Sequence, residues 1–357
     1  ELSSEVTRHT TFRVRGSAAY ADWHLWRLAW LVRSGVYSDD DVVATRSALL
    51  MRGGRTSRDE DLHRALFGSL FGAEHPFARM SDPTAVAAAL SVDQLGRFRD
   101  AHYAPAGATL ILTGSFDPAA MRRRVIELFG TWNTDPPARW APAVPPMNPA
   151  PGPTWLVQPD PTAAQVQLVL GFAASSPRTA SRAARTVVQE ILDKRLALIR
   201  TQLGATYGLD VGYHTTAAGD LIEITGRVDA ARAGEVVRRV VDELGKLRAT
   251  DDALADDFVR ARRAVLAAEL ADLAQPSVTA RRLEYAVAGG LPLDIDAALA
   301  AAVATTTVDD VTRVIAQDLL PARMVGVLGG RDADVKAALE AAGISHARVL
   351  GERGTGH

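Results

Sequence analysis

Cysteine is absent from the 357 residues. That excludes disulfides and thiolate metal sites, and it leaves the redox compartment undecided. A charge excess is also lacking. The formal net charge is -2, too little for a nucleic-acid or membrane-surface footprint. No run is long and apolar enough for a membrane span, since the longest uncharged stretch, Trp140 to Pro159, is broken by prolines. No secretory signal pattern opens the chain at Glu1, and a cytoplasmic location is the expectation. Neither a G-x-S-x-G elbow nor a G-x-x-x-x-G-K phosphate loop occurs. The acidic runs Asp39-Asp40-Asp41 and Asp251-Asp252 fall at helix starts, where the helix dipole explains them without calcium.

What is present is an ordinary globular composition, 47% hydrophobic and 23% charged, with length enough for roughly two domains. The pattern centres on Gln189 to Tyr213. Val188, Ile191, Leu192, Leu196, Leu198 and Ile199 recur close to helical spacing, and Gly204 ends the helix. Tyr207, Leu209, Val211 and Tyr213 then alternate at strand period. Before this, strands are expected at Thr10–Val14 and Thr109–Thr113. Helices are expected from Asp22 to Gly35, from Asp39, from the Ser57-x-x-Glu60 and Ser91-x-x-Gln94 boxes, and from Asp117-Pro118. Trp23, Trp26 and Trp30 share one helical face, which reads as a core or domain-contact face. Residues 133–153 are proline-rich and without period, a semi-rigid linker. The tail from Gly351 reads as disordered.

The chain contains an internal duplication. Val92-Asp93, Arg97, Pro105-Ala106, Leu112 and Gly114 match Val308-Asp309, Arg313, Pro321-Ala322, Leu328 and Gly330 at one constant offset. A period this long signals two homologous domains rather than a solenoid. The expected fold is α+β: a first domain over 1–132, a linker over 133–153, a second domain over 154–345 and a tail over 346–357. Each domain is expected to hold an antiparallel-rich sheet with helices on one face.

Arg200, Leu203, Gly204 and Tyr207 reproduce the spacing R-x-x-L-G-x-x-Y. This stretch resembles the second-domain signature of the insulinase/pitrilysin family of zinc metallopeptidases. Thr113-Gly114-Ser115-Phe116-Asp117 and Phe129-Gly130-Thr131-Trp132 are similar to the family's end-of-domain pattern. The resemblance implies that Arg200 and Tyr207 face a zinc site across a cavity and bind the backbone of a peptide substrate. Read without it, Arg200 suits a helix C-terminus and Tyr207 a strand opening.

The family's zinc motif is H-x-x-E-H. No two of the eight histidines, His9, His24, His63, His75, His102, His214, His346 and His357, stand four apart. Phe71-Gly72-Ala73-Glu74-His75 lacks the first histidine and reads as coincidence. By the repeat, the counterpart of the central helix falls before Glu1. The family's further glutamate ligand would fall within Ser47–Arg52, which holds no carboxylate. The expectation is therefore that this chain binds no metal. It is similar to the subunit of split bacterial proteases that lacks H-x-x-E-H and keeps the Arg and Tyr. The resemblance implies a heterodimer whose related partner supplies zinc, with Arg200 and Tyr207 completing the partner's site on a peptide substrate. Two alternatives stay open: a structural or peptide-binding homologue without proteolysis, and an active zinc peptidase whose H-x-x-E-H segment lies outside this sequence.

Overall fold

A computed structural model describes residues 2–6, 10–35, 37–51, 58–72, 74–78, 90–132, 145–149, 152–175, 180–204, 206–216, 218–289 and 291–350. The chain divides into two compact units. One comprises Glu1–Arg55, Ser81–Ala143 and Asp272–Leu293, the other Thr56–Met80, Val144–Ala271 and Asp294–His357. The sequence predicts contiguous domains over 1–132 and 154–345. The units differ from these by the placement of two helices, described below.

The larger unit is built on a six-stranded sheet. Its strands are β3 (Thr154–Pro159), β4 (Gln165–Ala174), β5 (Thr206–Thr216), β6 (Gly219–Asp229), β7 (Met324–Gly330) and β8 (Arg348–Val349), in spatial order β5-β6-β4-β7-β3-β8. β3 runs parallel to β7 and β8, and the other pairings are antiparallel. Period-two alternation gives the sheet two apolar faces. From β4, Val166, Leu168, Leu170 and Phe172 enter one core cluster, while Val169 and Ala173 enter the other.

The first face is covered by α6 (Arg182–Leu203) together with α7 (Ala233–Arg248), α11 (Val308–Asp318) and α12 (Asp332–Ala341), and α10 (Ile295–Thr305) adds Leu299 and Val303 to the same core. α6 buries Val187, Val188, Ile191, Leu192, Leu196 and Ile199, a stripe at helical spacing, while Leu198, expected in it, is turned to the exposed side. Each such side chain contributes about 1.5–3 kcal/mol on burial. Gly204 ends the helix at φ +61°, and its N–H donates to Arg200 O at 2.8 Å. Only glycine takes that conformation without strain.

The opposite face is covered by α3 (Arg58–Phe71), so helices lie on both faces and the expectation of one covered face is corrected. The reason is a leucine stripe, Leu62, Leu66 and Leu70, each 2% exposed or less. Glycines in the sheet let the helix come close. A Cβ at Gly171 would sit 2.5 Å from Leu66 Cδ1, and one at Gly329 would sit 2.8 Å from Leu62 Cδ2.

The smaller unit holds a two-stranded antiparallel sheet, β1 (Leu2–Val6) and β2 (Thr10–Val14), with α1 (Ala21–Ser34), α2 (Asp39–Met51), α4 (Val92–His102), α5 (Pro118–Phe129) and α9 (Pro276–Gly289). Glu284 of α9 accepts from Arg13 Nη2 at 2.7 Å and from Thr11 Oγ1 at 2.7 Å on β2. The Ser91–Gln94 capping box and the Asp117 cap ahead of Pro118 form as expected. Asp22 lies inside the first turn of α1 rather than capping it. Thr109–Thr113 is not a strand. Its repeat counterpart β7 is held by β3 and β4 on its two sides, and among the described residues the smaller unit provides no such neighbours.

The duplication runs through the elements in order. α1, α2, α3, α4 and α5 correspond to α7, α8 (Leu254–Leu273), α9, α11 and α12, and β1-β2 corresponds to β5-β6. α3 and α9 are therefore repeat twins, each grouped with the unit that holds most of the other repeat. The tryptophan face is a correction. Trp23, Trp26 and Trp30 are 49%, 47% and 47% exposed, while Leu25 and Ala29 carry the buried side of α1. Ser17 and Asp229 cap the short 3-10 turns that lead into α1 and α7 in the same way. Counted from these caps, the three tryptophans stand where α7 has Glu235, Arg238 and Asp242. That is a solvent-side position, not a core one.

Within the linker, residues 133–144 and 150–151 lie outside the described residues. The N–H groups of Met147 and Asn148 donate to Ala218 O and Leu70 O. Ser57 and the tail from Gly351 also lie outside the described residues.

Candidate functional site

α3 packs over β3, β7 and β4 and leaves the β4-β6-β5 part of that face open. The opening is a cavity of about 780 Å³. Its floor is polar because the strand alternation places Gln167 of β4, Glu223, Thr225 and Arg227 of β6, and Asp210 and His214 of β5 on this side. Their neighbours Leu168, Ile222, Ile224, Leu209 and Val211 belong to the helix-covered core. His63 projects into the cavity from α3, and Arg200 reaches it from the last turn of α6.

Glu223 is the buried charge of the site, 5% exposed. His63 Nε2 lies 2.6 Å from Oε1, and His214 Nε2 lies 3.0 Å from Oε2. Burial pushes the carboxyl up, but contacts from His214 and His63 outweigh it and bring it from 4.5 down to about 2. The carboxylate is thus ionised at neutral pH and joins α3 to the sheet. Sequence reasoning missed all three residues. The available signal was an acidic side chain between Ile222 and Ile224 of β6.

Arg200 is exposed and lines this cavity. Tyr207 is the second residue of β5, the strand whose later residues line the cavity; its side chain lies outside the described residues. The structure therefore brings Arg200 together with His63, His214 and Glu223, and for Tyr207 it gives the backbone position alone.

Among the described residues, no group of three or more His, Asp or Glu side chains is arranged to hold a metal. The two imidazoles of the cavity spend their Nε2 atoms on Glu223 directly. His75 is a core residue. It is 5% exposed, stacks on Phe71 at 4.9 Å, and its Nδ1 accepts from Phe77 N, so Nε2 is the atom free to donate to Pro145 O at 2.9 Å. Among the described residues, these side chains offer no ligand set for a catalytic zinc. No helix among the described residues is long and apolar enough to cross a membrane.

No curated protein matches the chain in sequence. Residues 89–265 match the family model described as the peptidase M16 inactive domain. Among solved structures, the chain is similar to a protease from Helicobacter pylori, with a TM-score of 0.80 and 13% identity over 92% of this chain and 82% of that one. It is similar to the peptidase M16 inactive domain from Pseudomonas fluorescens, with a TM-score of 0.77 and 17% identity over 93% and 81%. It is also similar to an M16-like peptidase from Alicyclobacillus acidocaldarius, with a TM-score of 0.71 and 18% identity over 92% and 79%. At these identities the structural likeness is one of fold. The inactive-domain match runs from α4 into α8, just under half of the chain, and over that segment the chain resembles the inactive domains of M16 peptidases, whose fold it shares.

Proposed function

We propose that this chain is the substrate-binding, non-catalytic subunit of a heterodimeric zinc endopeptidase. A related H-x-x-E-H subunit supplies the zinc, and Arg200 and Tyr207 complete its site on a peptide substrate. The observation that carries this reading is Arg200, exposed on the rim of a polar cavity within the segment that matches the inactive domain. A guanidinium placed there can donate to a peptide carbonyl and to the oxyanion that develops from it. A phenol at Tyr207 would add a second donor. The cavity is large enough for a short length of extended peptide, and its walls offer acceptors, donors and both signs of charge.

The test is turnover by the complex reconstituted with its H-x-x-E-H partner. Arg200→Ala is expected to lower kcat/KM by about 10²-fold, the loss usual for one oxyanion donor, with the complex and its zinc content intact. Because Arg200 is exposed, its removal leaves the core untouched. A full rate from the variant overturns the reading and favours a structural or peptide-binding homologue, the alternative that an inactive-domain match also supports. One tightly bound zinc per copy of this chain would instead favour a peptidase active by itself. A cytoplasmic location belongs to the same proposal, and fractionation of the source cells tests it.

A further inference from the structure

Among the described residues the six-stranded sheet ends at β5, and an end strand is where an extended chain can add by main-chain hydrogen bonds. In the β5-β6 register Val211 stands opposite Ile224. Its amide and carbonyl turn outward, away from β6, and both are occupied. Val211 N–H donates to Asp193 Oδ1 at 3.3 Å, and Gln189 Nε2 donates to Val211 O at 2.9 Å. Gln189 and Asp193 are four residues apart on α6, so they sit one above the other on one helix face and reach the same strand residue.

An incoming strand needs the same donor and acceptor on alternate residues of the edge. We propose that Gln189 and Asp193 form a side-chain latch on the outer edge of β5, which keeps the sheet closed to an extended peptide and opens it when the latch lets go. The occupant is a peptide backbone in extended form, recognised by main-chain hydrogen bonds. The inference is independent of any zinc partner.

The chemistry of Asp193 makes the latch responsive to pH. Burial pushes its carboxyl up to about 6, against the stabilising Val211 N–H. The charged groups that face it are Asp210 from β5 and Glu190 from its own helix, which raise it, and Lys194, which lowers it. Above about 6 the carboxylate is the stronger acceptor and holds the amide. Below it the neutral acid accepts less well, and the edge is released.

The test is residue-resolved amide exchange of the full chain, corrected for the intrinsic rate at each pH. Val211 is expected to lose protection as pH falls through about 6, while Gly212, which faces β6, keeps its own. Asp193→Ala should lower the protection of Val211 by about tenfold or more at neutral pH, and Asp193→Asn should abolish the pH step. A fluorescein-labelled peptide copying β6, residues 219–229, serves as the strand probe. It is expected to bind the Gln189→Ala/Asp193→Ala variant at neutral pH and the native chain only below about pH 6. Unchanged Val211 protection in Asp193→Ala, with Gly212 still protected, overturns the latch. So does a doubly substituted chain that binds the probe no better than the native one.

Discussion

Replacing Glu223 by Gln tests the electrostatics of the cavity with little change of shape. The folded chain holds this carboxyl at about 2 rather than 4.5. A displacement of that size corresponds to about 3 kcal/mol of stability at neutral pH. His63 and His214 are 32% and 52% exposed, so water screens part of their contribution. The expected loss in Glu223→Gln is therefore about 1–2 kcal/mol. The sign follows from linkage. A depressed carboxyl adds stability above its unfolded titration point, and that stability disappears as pH falls from about 4.5 toward about 2. Urea unfolding of the native chain and the variant, followed by circular dichroism, should show the full gap at neutral pH and almost none near pH 2. An equal gap at both ends of the range would refute the reasoning and would assign the effect to packing of the amide instead.

Arg185 joins Asp318 and Asp220 in the core, with Nε 3.0 Å from Asp318 Oδ2 and all three residues buried. Arg185→Ala strands two carboxylates and should cost about 3–5 kcal/mol, read as a lower urea midpoint. Leu66 is fully buried against Gly171; Leu66→Ala should cost about 2–5 kcal/mol by calorimetry. Gly171→Ala puts a methyl into the space of Leu66 Cδ1 and should destabilise by about 1–3 kcal/mol, a loss that Leu66→Ala in the same chain partly relieves. Arg195 holds Asp251 and Asp257 at 2.7 Å each; Arg195→Met should loosen the start of α8, seen as faster amide exchange over the first turns after Leu254.

The central helix and strand were legible because period and punctuation agreed there. The stripe from Val188 to Ile199 is the face that packs on the sheet, and Gly204 takes the left-handed conformation its place demanded. The repeat was legible for a similar reason, since capping residues and glycines recur at matched positions. Three features were not. The strand expected at Thr109–Thr113 has strand composition, but strands need partners, and composition is silent on what lies alongside. The tryptophans obey helical spacing, yet spacing alone cannot say which side of a helix faces water when both sides are apolar. The His63–Glu223–His214 cluster joins residues 160 and 9 positions apart in the chain, and only the register of β5 with β6 and the docking of α3 bring them together.

The placement of α3 and α9 shows why a duplicated sequence does not fold into two interchangeable halves. Counted from their first residues, Glu284 of α9 takes the place of Leu66 of α3. In the smaller unit that carboxylate is held by Arg13 and Thr11 of β2. In the larger unit the same position presses on Gly171, in a cluster lined by Val169, Ala173 and Val327. Setting α9 on that face would bury Glu284 among apolar side chains, at a cost of several kcal/mol. Setting α3 on β2 would leave Arg13 without its carboxylate. Each strand pair therefore selects its helix through what the other helix would leave unpaired. The same selection explains the cavity. An apolar stripe of three leucines covers the sheet only as far as the apolar floor extends. Where β6 and β5 turn polar, at Glu223, Thr225 and Asp210, the helix contributes His63 at the boundary and leaves the cavity uncovered.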